Sequence, residues 1–170
     1  MLLINNSTLI KEAKLLIKEL KSKDLKLCSI ESCTGGLFSY IITSIPGSSI
    51  VYDFGIVTYS NHSKIKLANV FDETIKKFGS VSNNTASEMS KNIISLSSNP
   101  EKSFSVSCTG IAGPEGGTTK KPVGTVFISF SNKSFNKVIK VQYSGLNRKQ
   151  IRYKTVDDMI KNSIKIIKNL

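Results

Sequence analysis

The stretch Glu31-Ser32-Cys33-Thr34-Gly35-Gly36 sets two nucleophile types and a second hydroxyl beside paired glycines, just after an apolar run. A hydroxyl or thiol at a strand-to-helix turn can sit beside unpaired backbone N–H groups and positive potential, a ready-made oxyanion site. Ser32 is therefore a candidate acyl-transfer nucleophile, with N-capping by Ser32 or Thr34 as the plain structural alternative. A serine needs a base, and the single histidine, His62, lies in the middle of a polar run, which argues against a Ser-His-Asp triad. A lysine that is partly desolvated loses its proton more readily and can activate a serine, and Lys64 is the candidate. Tyr59 could pass a proton or hold that lysine, and Ser49 could relay between Ser32 and Lys64. The structural alternatives are a surface charge for Lys64 and an amphipathic sheet-edge residue for Tyr59. Cys33 is a competing nucleophile, dependent on His62 for a base, or else a small buried residue.

A second glycine-rich segment, Thr109-Gly110-Ile111-Ala112-Gly113-Pro114-Glu115-Gly116-Gly117-Thr118-Thr119, would let backbone N–H groups approach a ligand, as phosphate-binding loops do. It lacks the G-x-x-x-x-G-K-[ST] and G-x-G-x-x-G spacings, so it is equally readable as a surface loop. The only arginines are Arg148 and Arg152, in a chain that otherwise uses lysine. Such a pair suggests a place where a planar, forked donor is wanted, though a surface accident reads as well.

These residues need elements to position them. Residues 25–30 alternate as a strand, and 37–45 carry helical spacing until Pro46-Gly47, so a strand, a turn and a helix meet at Ser32. Residues 50–59 read as a strand with an irregularity at Gly55, followed by a short helix capped by Asn61 with Lys64 in its first turn. An amphipathic helix over 8–21, capped by Ser7 or Thr8, precedes them. Helices over 72–78 and from Ser82 to about Leu96 follow, then a strand over 104–108. A hairpin of 123–130 with 137–143 and a helix from about Lys149 to Lys168 close the chain. This order predicts an α/β protein, one three-layer α/β/α sandwich over residues 1–170 with a mixed, mostly parallel sheet. In such sheets ligands sit at the carboxyl ends of the strands, where the Ser32 turn, the Tyr59–Lys64 segment and the Thr109 loop would converge.

At 170 residues the chain can bury a core without disulfides or metal, and its three cysteines form no C-x-x-C pair, which predicts reduced thiols in a cytoplasmic protein. The opening apolar run is too short for a signal peptide and no 18-residue apolar span follows, so no membrane partner is expected. The formal charge of +12 comes from lysines dispersed over every segment, a solvated coat that predicts no nucleic-acid partner.

ESCTGG, the PGSS loop, VTYSN-x-x-K, TGIAGP with its following GG-T, KPVGTV and the Gly-x-x-Arg loop before the last helix together resemble the CinA carboxy-terminal family. Its stand-alone, PncC-type members are nicotinamide-nucleotide amidohydrolases. The resemblance runs in order from about residue 8 to the end. It implies hydrolysis of the carboxamide of nicotinamide mononucleotide to nicotinate mononucleotide and ammonia within pyridine-nucleotide recycling, an α/β/α fold, no cofactor and no required metal. Dimerisation is plausible from the family and from the apolar terminal helices, which could instead pack on the sheet. Longer members carry an additional amino-terminal domain, which this chain is expected to lack. Transferred by position, the resemblance implies Ser32 as nucleophile, Lys64 and Tyr59 as activating partners, Ser49 nearby, and Thr109, Gly110 and Arg148 as binding residues. On that reading the backbone N–H groups of Cys33, Thr34, Gly35 and Gly36 hold the oxyanion, and the phosphate sits against Arg148 and the loop that includes Gly113. The chain departs from the family pattern at His62-Ser63, at Ser107-Cys108 and at Asn147, where an aspartate that could orient Arg148 is common.

Overall fold

The computed structural model describes residues 4–170; the first three residues of the opening segment, weighed above as a signal peptide, lie outside the described residues. Strands β1 (Lys26–Glu31), β2 (Tyr52–Val57), β3 (Ser103–Gly110), β4 (Thr125–Ser131) and β5 (Asn136–Gln142) form one sheet in the order β2-β1-β3-β4-β5. β1 pairs in parallel with both β2 and β3, and β4 pairs antiparallel with β3 and with β5. The sheet is therefore mixed, with β4 alone running against the other four. The irregularity expected at Gly55 falls instead between Tyr52 and Phe54, where the register with Leu27 and Cys28 shifts.

Among the described residues six α-helices cover the two faces: α1 (Asn6–Ser22), α2 (Leu37–Thr43), α3 (Asn61–Ala68), α4 (Asp72–Phe78), α5 (Asn83–Asn92) and α6 (Arg148–Ile167). α1, α2 and α6 pack together on one face, and α3 and α4 lie with α5 on the other, giving the three layers expected. The apolar faces of α1 and α6 are spent inside the fold, where Leu9, Leu16, Leu20, Ile151, Met159 and Ile160 are fully buried. Capping departs from expectation twice. Asn5, not Ser7 or Thr8, caps α1 by accepting from Thr8 N, and Ser60, not Asn61, caps α3 in a reciprocal box with Ser63.

The strands divide their side chains by layer. In β3, Phe104, Val106 and Cys108 join the main core, while the hydroxyls of Ser105 and Ser107 donate to the carbonyls of Ser90 and Ala86 in α5. β4 alternates likewise, with Val126, Ile128 and Phe130 in the core and Ser129 and Ser131 bonded to Ser90. Buried hydroxyls are tolerated only when paired, and α5 supplies the partners. The chain leaves β1 to reach β2 on one side and arrives at β3 on the other, which opens a crevice at the carboxyl ends of β1 and β3. Among the described residues no helix is long and apolar enough to cross a membrane.

Candidate active site

The Ser32 turn is anchored from below. Ser32 N donates to Cys108 O at 3.1 Å, one residue beyond the paired strand, and Gly35 and Gly36 then take φ of +60° and +88° to swing the chain into α2. Neither Ser32 nor Thr34 caps that helix, contrary to the structural alternative above. The N-cap residue is Gly36, and the side chain that serves the α2 amides is Glu31, a fully buried carboxylate: Oε2 accepts from Thr34 Oγ1 (2.6 Å) and Phe38 N (3.1 Å), and Oε1 from Ser39 N (2.9 Å) and Ser39 Oγ (2.7 Å). The α2 amides are thus occupied, whereas the N–H groups of Cys33 and Thr34 donate to no acceptor among the described residues. Arg152 forks onto Thr34 O through Nε (3.0 Å) and Nη2 (2.7 Å), holding the turn from the far side.

Lys64 arrives from the neighbouring strand. Thr58 N donates to Glu31 O at 2.8 Å, so the chain leaves β2 beside Ser32, and the cap at Ser60 starts α3 with Lys64 at the end of its first turn. Lys64 is 2% exposed, with Nζ 2.9 Å from Ser32 Oγ and 2.8 Å from Thr58 O. Among the described residues no carboxylate contacts its ammonium. Burial pushes its pKa below the ordinary lysine value of 10.5, opposed by the nearby thiols of Cys108 and Cys33. A neutral Lys64 could donate to Thr58 O while its lone pair accepts the Ser32 hydroxyl proton. Cys33 is 5% exposed, and its thiol pKa is driven up by the neighbouring Cys108 thiol and by burial, while His62 is exposed on α3. That arrangement removes the Cys33–His62 alternative: the thiol stays protonated and the imidazole faces solvent.

The opposite wall comes from β3 and the loop after it. β3 runs two residues past the expected end, so Thr109 and Gly110 are strand residues. Thr109 is buried and its hydroxyl donates to Ser80 O at 2.7 Å. Gly110 must lack a side chain, since a Cβ there would lie 2.6 Å from Val126 Cγ2 and 2.9 Å from Thr125 O. Arg148 bridges two walls, with Nη1 on Gly113 O at 2.7 Å and Nη2 on the Tyr59 hydroxyl at 2.6 Å. Tyr59 thus lines the site but bonds to Arg148 and makes no hydrogen bond to Lys64 or Ser32, contrary to the role expected for it. Asn147, where aspartate is common, caps α6 by accepting from Gln150 N, and the two loop acceptors orient Arg148 without a carboxylate.

Ser32, Cys33, Tyr59, Lys64, Thr109, Gly110, Gly113 and Arg148 line one cavity of about 250 Å³. Thr34 lies beneath its floor, and Gly35 and Gly36 shape the turn without lining it. Ser49 is a correction: it is exposed in a short 3-10 turn, Ser48–Ile50, at the amino end of β2, while the site lies at the carboxyl end, so it cannot relay a proton there. The cavity also takes in Ser80, Val81, Ile111, Ala112, Glu115 and Gly116. The loop residues were within reach of sequence reading, but nothing local marks Ser80 and Val81, which tertiary packing brings in between α4 and α5. Among the described residues no group of three His, Cys, Asp or Glu side chains gathers as a metal site requires. A larger open groove of about 710 Å³ lies elsewhere, between Lys91 and Phe135, and its lining offers no carboxylate, histidine or thiol.

The chain is similar to several known proteins. The chain is 48% identical over 127 residues to a CinA-like protein of Endomicrobium trichonymphae, covering 75% of this chain and 29% of that one. It is 41% identical over 157 residues to a CinA-like protein of Prochlorococcus marinus subsp. pastoris, covering 91% and 35%. The chain thus spans about a third of the length of these curated relatives. Among solved structures, the competence/damage inducible protein CihA from Agrobacterium tumefaciens superposes with a TM-score of 0.89 at 34% identity, covering 98% of both chains. A CinA superfamily protein from Escherichia coli superposes with a TM-score of 0.88 at 25% identity, covering 98% of this chain and 94% of that one. The family model for the CinA C-terminal domain matches residues 10–167, and the chain belongs to the CinA family.

Proposed function

We propose that this protein is a serine-lysine amidohydrolase that converts nicotinamide mononucleotide to nicotinate mononucleotide and ammonia. The observation that carries the chemistry is the buried Lys64 Nζ, 2.9 Å from Ser32 Oγ with no carboxylate to hold its proton. The substrate is taken from the family resemblance. An anionic nucleotide also suits a site walled by Arg148 and a glycine-rich loop on a chain of formal charge +12. The free thiols suit a cytosolic setting for such a reaction.

In the reaction, neutral Lys64 accepts the Ser32 hydroxyl proton as Oγ bonds to the carboxamide carbon. The carbonyl oxygen becomes an oxyanion facing the Cys33 and Thr34 N–H groups, a contribution of about 3–4 kcal/mol per donor in such sites. The C–N bond then breaks, Lys64 returns the proton to the leaving nitrogen, and ammonia departs. Water, deprotonated by Lys64, attacks the acyl-enzyme and frees the carboxylate. Tyr59 acts on this pathway only as a wall held by Arg148.

Ammonia release from nicotinamide mononucleotide is the test, with wild type beside Ser32→Ala, Lys64→Ala and Cys33→Ala and each fold checked by circular dichroism. Loss of activity in the Ser32 and Lys64 variants with retention in the Cys33 variant is expected, and hydroxylamine should trap the acyl group as a hydroxamate. Folded wild type that binds the nucleotide calorimetrically without releasing ammonia overturns the reading in favour of a binding module.

A further inference from the structure

Two thiols lie beneath the Ser32 turn, and the proposed hydrolysis uses neither. Cys33 lines the site cavity. Cys108 is fully buried on β3, in register with Glu31 of the adjacent parallel strand, and belongs with Cys33 to the same core cluster. Neighbouring strands run about 4.8 Å apart, so a residue two positions past Glu31 on the turn is within reach of Cys108. Each of the two thiols shifts the other's proton affinity, as close neighbours do. Thr34 Oγ1 lies 3.1 Å from Cys108 Sγ, and the Cys108 carbonyl holds Ser32 N at 3.1 Å. Cys33 is thus flanked by two residues that both touch Cys108, at the point that positions the nucleophile.

We propose that Cys33 and Cys108 are an oxidisable thiol pair that closes to a disulfide with hydrogen peroxide or a similar small peroxide and switches the Ser32 site off. The neighbouring Cys108, and after it burial, holds the Cys33 thiol well above its ordinary range, while Cys33 draws Cys108 below its own, so Cys108 ionises first. Peroxide entering the cavity meets Cys33 in its lining, with Cys108 buried behind it. The thiolate sulfur takes one peroxide oxygen as the O–O bond breaks, giving a sulfenic acid and hydroxide, which takes up the proton the thiol released. The second thiol then attacks that sulfur, the S–S bond forms and water leaves. In sum, two thiols and one peroxide give one disulfide and two waters. Closing the sulfurs to about 2.05 Å drags the turn that carries Ser32 and the Cys33 N–H. A displacement of about 1 Å at such a centre costs on the order of 100-fold in rate. The third thiol, Cys28, belongs to the core cluster on the opposite sheet face, and burial first among causes raises its pKa to about 12. It is outside the switch.

The loss of activity rests on the proposed hydrolase, whereas the covalent link does not. The full chain is treated with hydrogen peroxide, alkylated and digested without reductant for peptide mass mapping, with ammonia release measured before treatment, after it and after dithiothreitol. The expected results are a Cys33–Cys108 linked peptide, a fall in activity of at least about tenfold and recovery with dithiothreitol. Cys108→Ala, whatever its starting activity, should keep that activity through peroxide. Unlinked Cys33 and Cys108 peptides, or a link through Cys28, overturn the pair. Linked peptides with unchanged activity overturn the switch. A wild type without ammonia release fails the hydrolase reading, and the peptide map then still decides whether the pair forms.

Discussion

Replacing Lys64 with methionine separates its proton chemistry from its packing. The side chain is 2% exposed, so methionine of similar reach keeps the space filled, and what is lost is the amine 2.9 Å from Ser32 Oγ and 2.8 Å from Thr58 O. A positioned general base is worth roughly 10²–10⁴ in rate, about 2.7–5.5 kcal/mol. That loss should appear in kcat for ammonia release, with KM within about threefold, because in the proposed function Arg148 and the glycine-rich loop, not Lys64, hold the rest of the nucleotide. The pH profile supplies the second readout. Burial lowers the Lys64 pKa, and only the neutral amine accepts the Ser32 proton, so wild-type kcat/KM should rise about tenfold per pH unit and level off below the ordinary lysine value of 10.5. The methionine variant should lose that limb. A variant within about tenfold of wild type, or one that keeps the wild-type profile, refutes the assignment of Lys64 as base.

Glu31→Ala should cost at least about 2 kcal/mol in urea unfolding, because it strands the Phe38 and Ser39 amides at the buried start of α2; a change under about 0.5 kcal/mol removes Glu31 as the group that serves them. Arg148→Lys loses the fork between Gly113 O and Tyr59 and should raise KM about tenfold with kcat changed less, whereas an unchanged KM places the nucleotide elsewhere. Ser49→Ala should leave activity within about twofold, since the hydroxyl is at the wrong end of β2; a large fall restores it to the proton path.

Much of the frame is legible because local rules dominate it. The Ser32 turn sits between a strand and a helix as the alternation of residues 25–30 and the glycines predict. The pairing of Ser32 with Lys64 is legible for a less direct reason: both follow parallel strands, and parallel neighbours bring their carboxyl ends together. Ser49 failed for the same geometry, because a residue before a strand lies a full strand length from one after it. Tyr59 sits in the right place, but its partner depends on where α6 docks, and no local pattern encodes that.

The sequence by itself determined the α/β class, the elements that frame the site and the residue types able to do acyl transfer, because periodicity, glycine and turn chemistry act over a few residues. Only the tertiary structure decided how those groups are tuned. Burial of Lys64 away from any carboxylate partner, capture of the α2 amides by Glu31, the grip of Arg148 and Arg152 on loop carbonyls more than 30 residues away, and the gathering of Cys33 and Cys108 into one core cluster all depend on non-local packing. Solvent exclusion and hydrogen-bond partners set a group's proton affinity, and neither exists until strands and helices distant in the chain close around it.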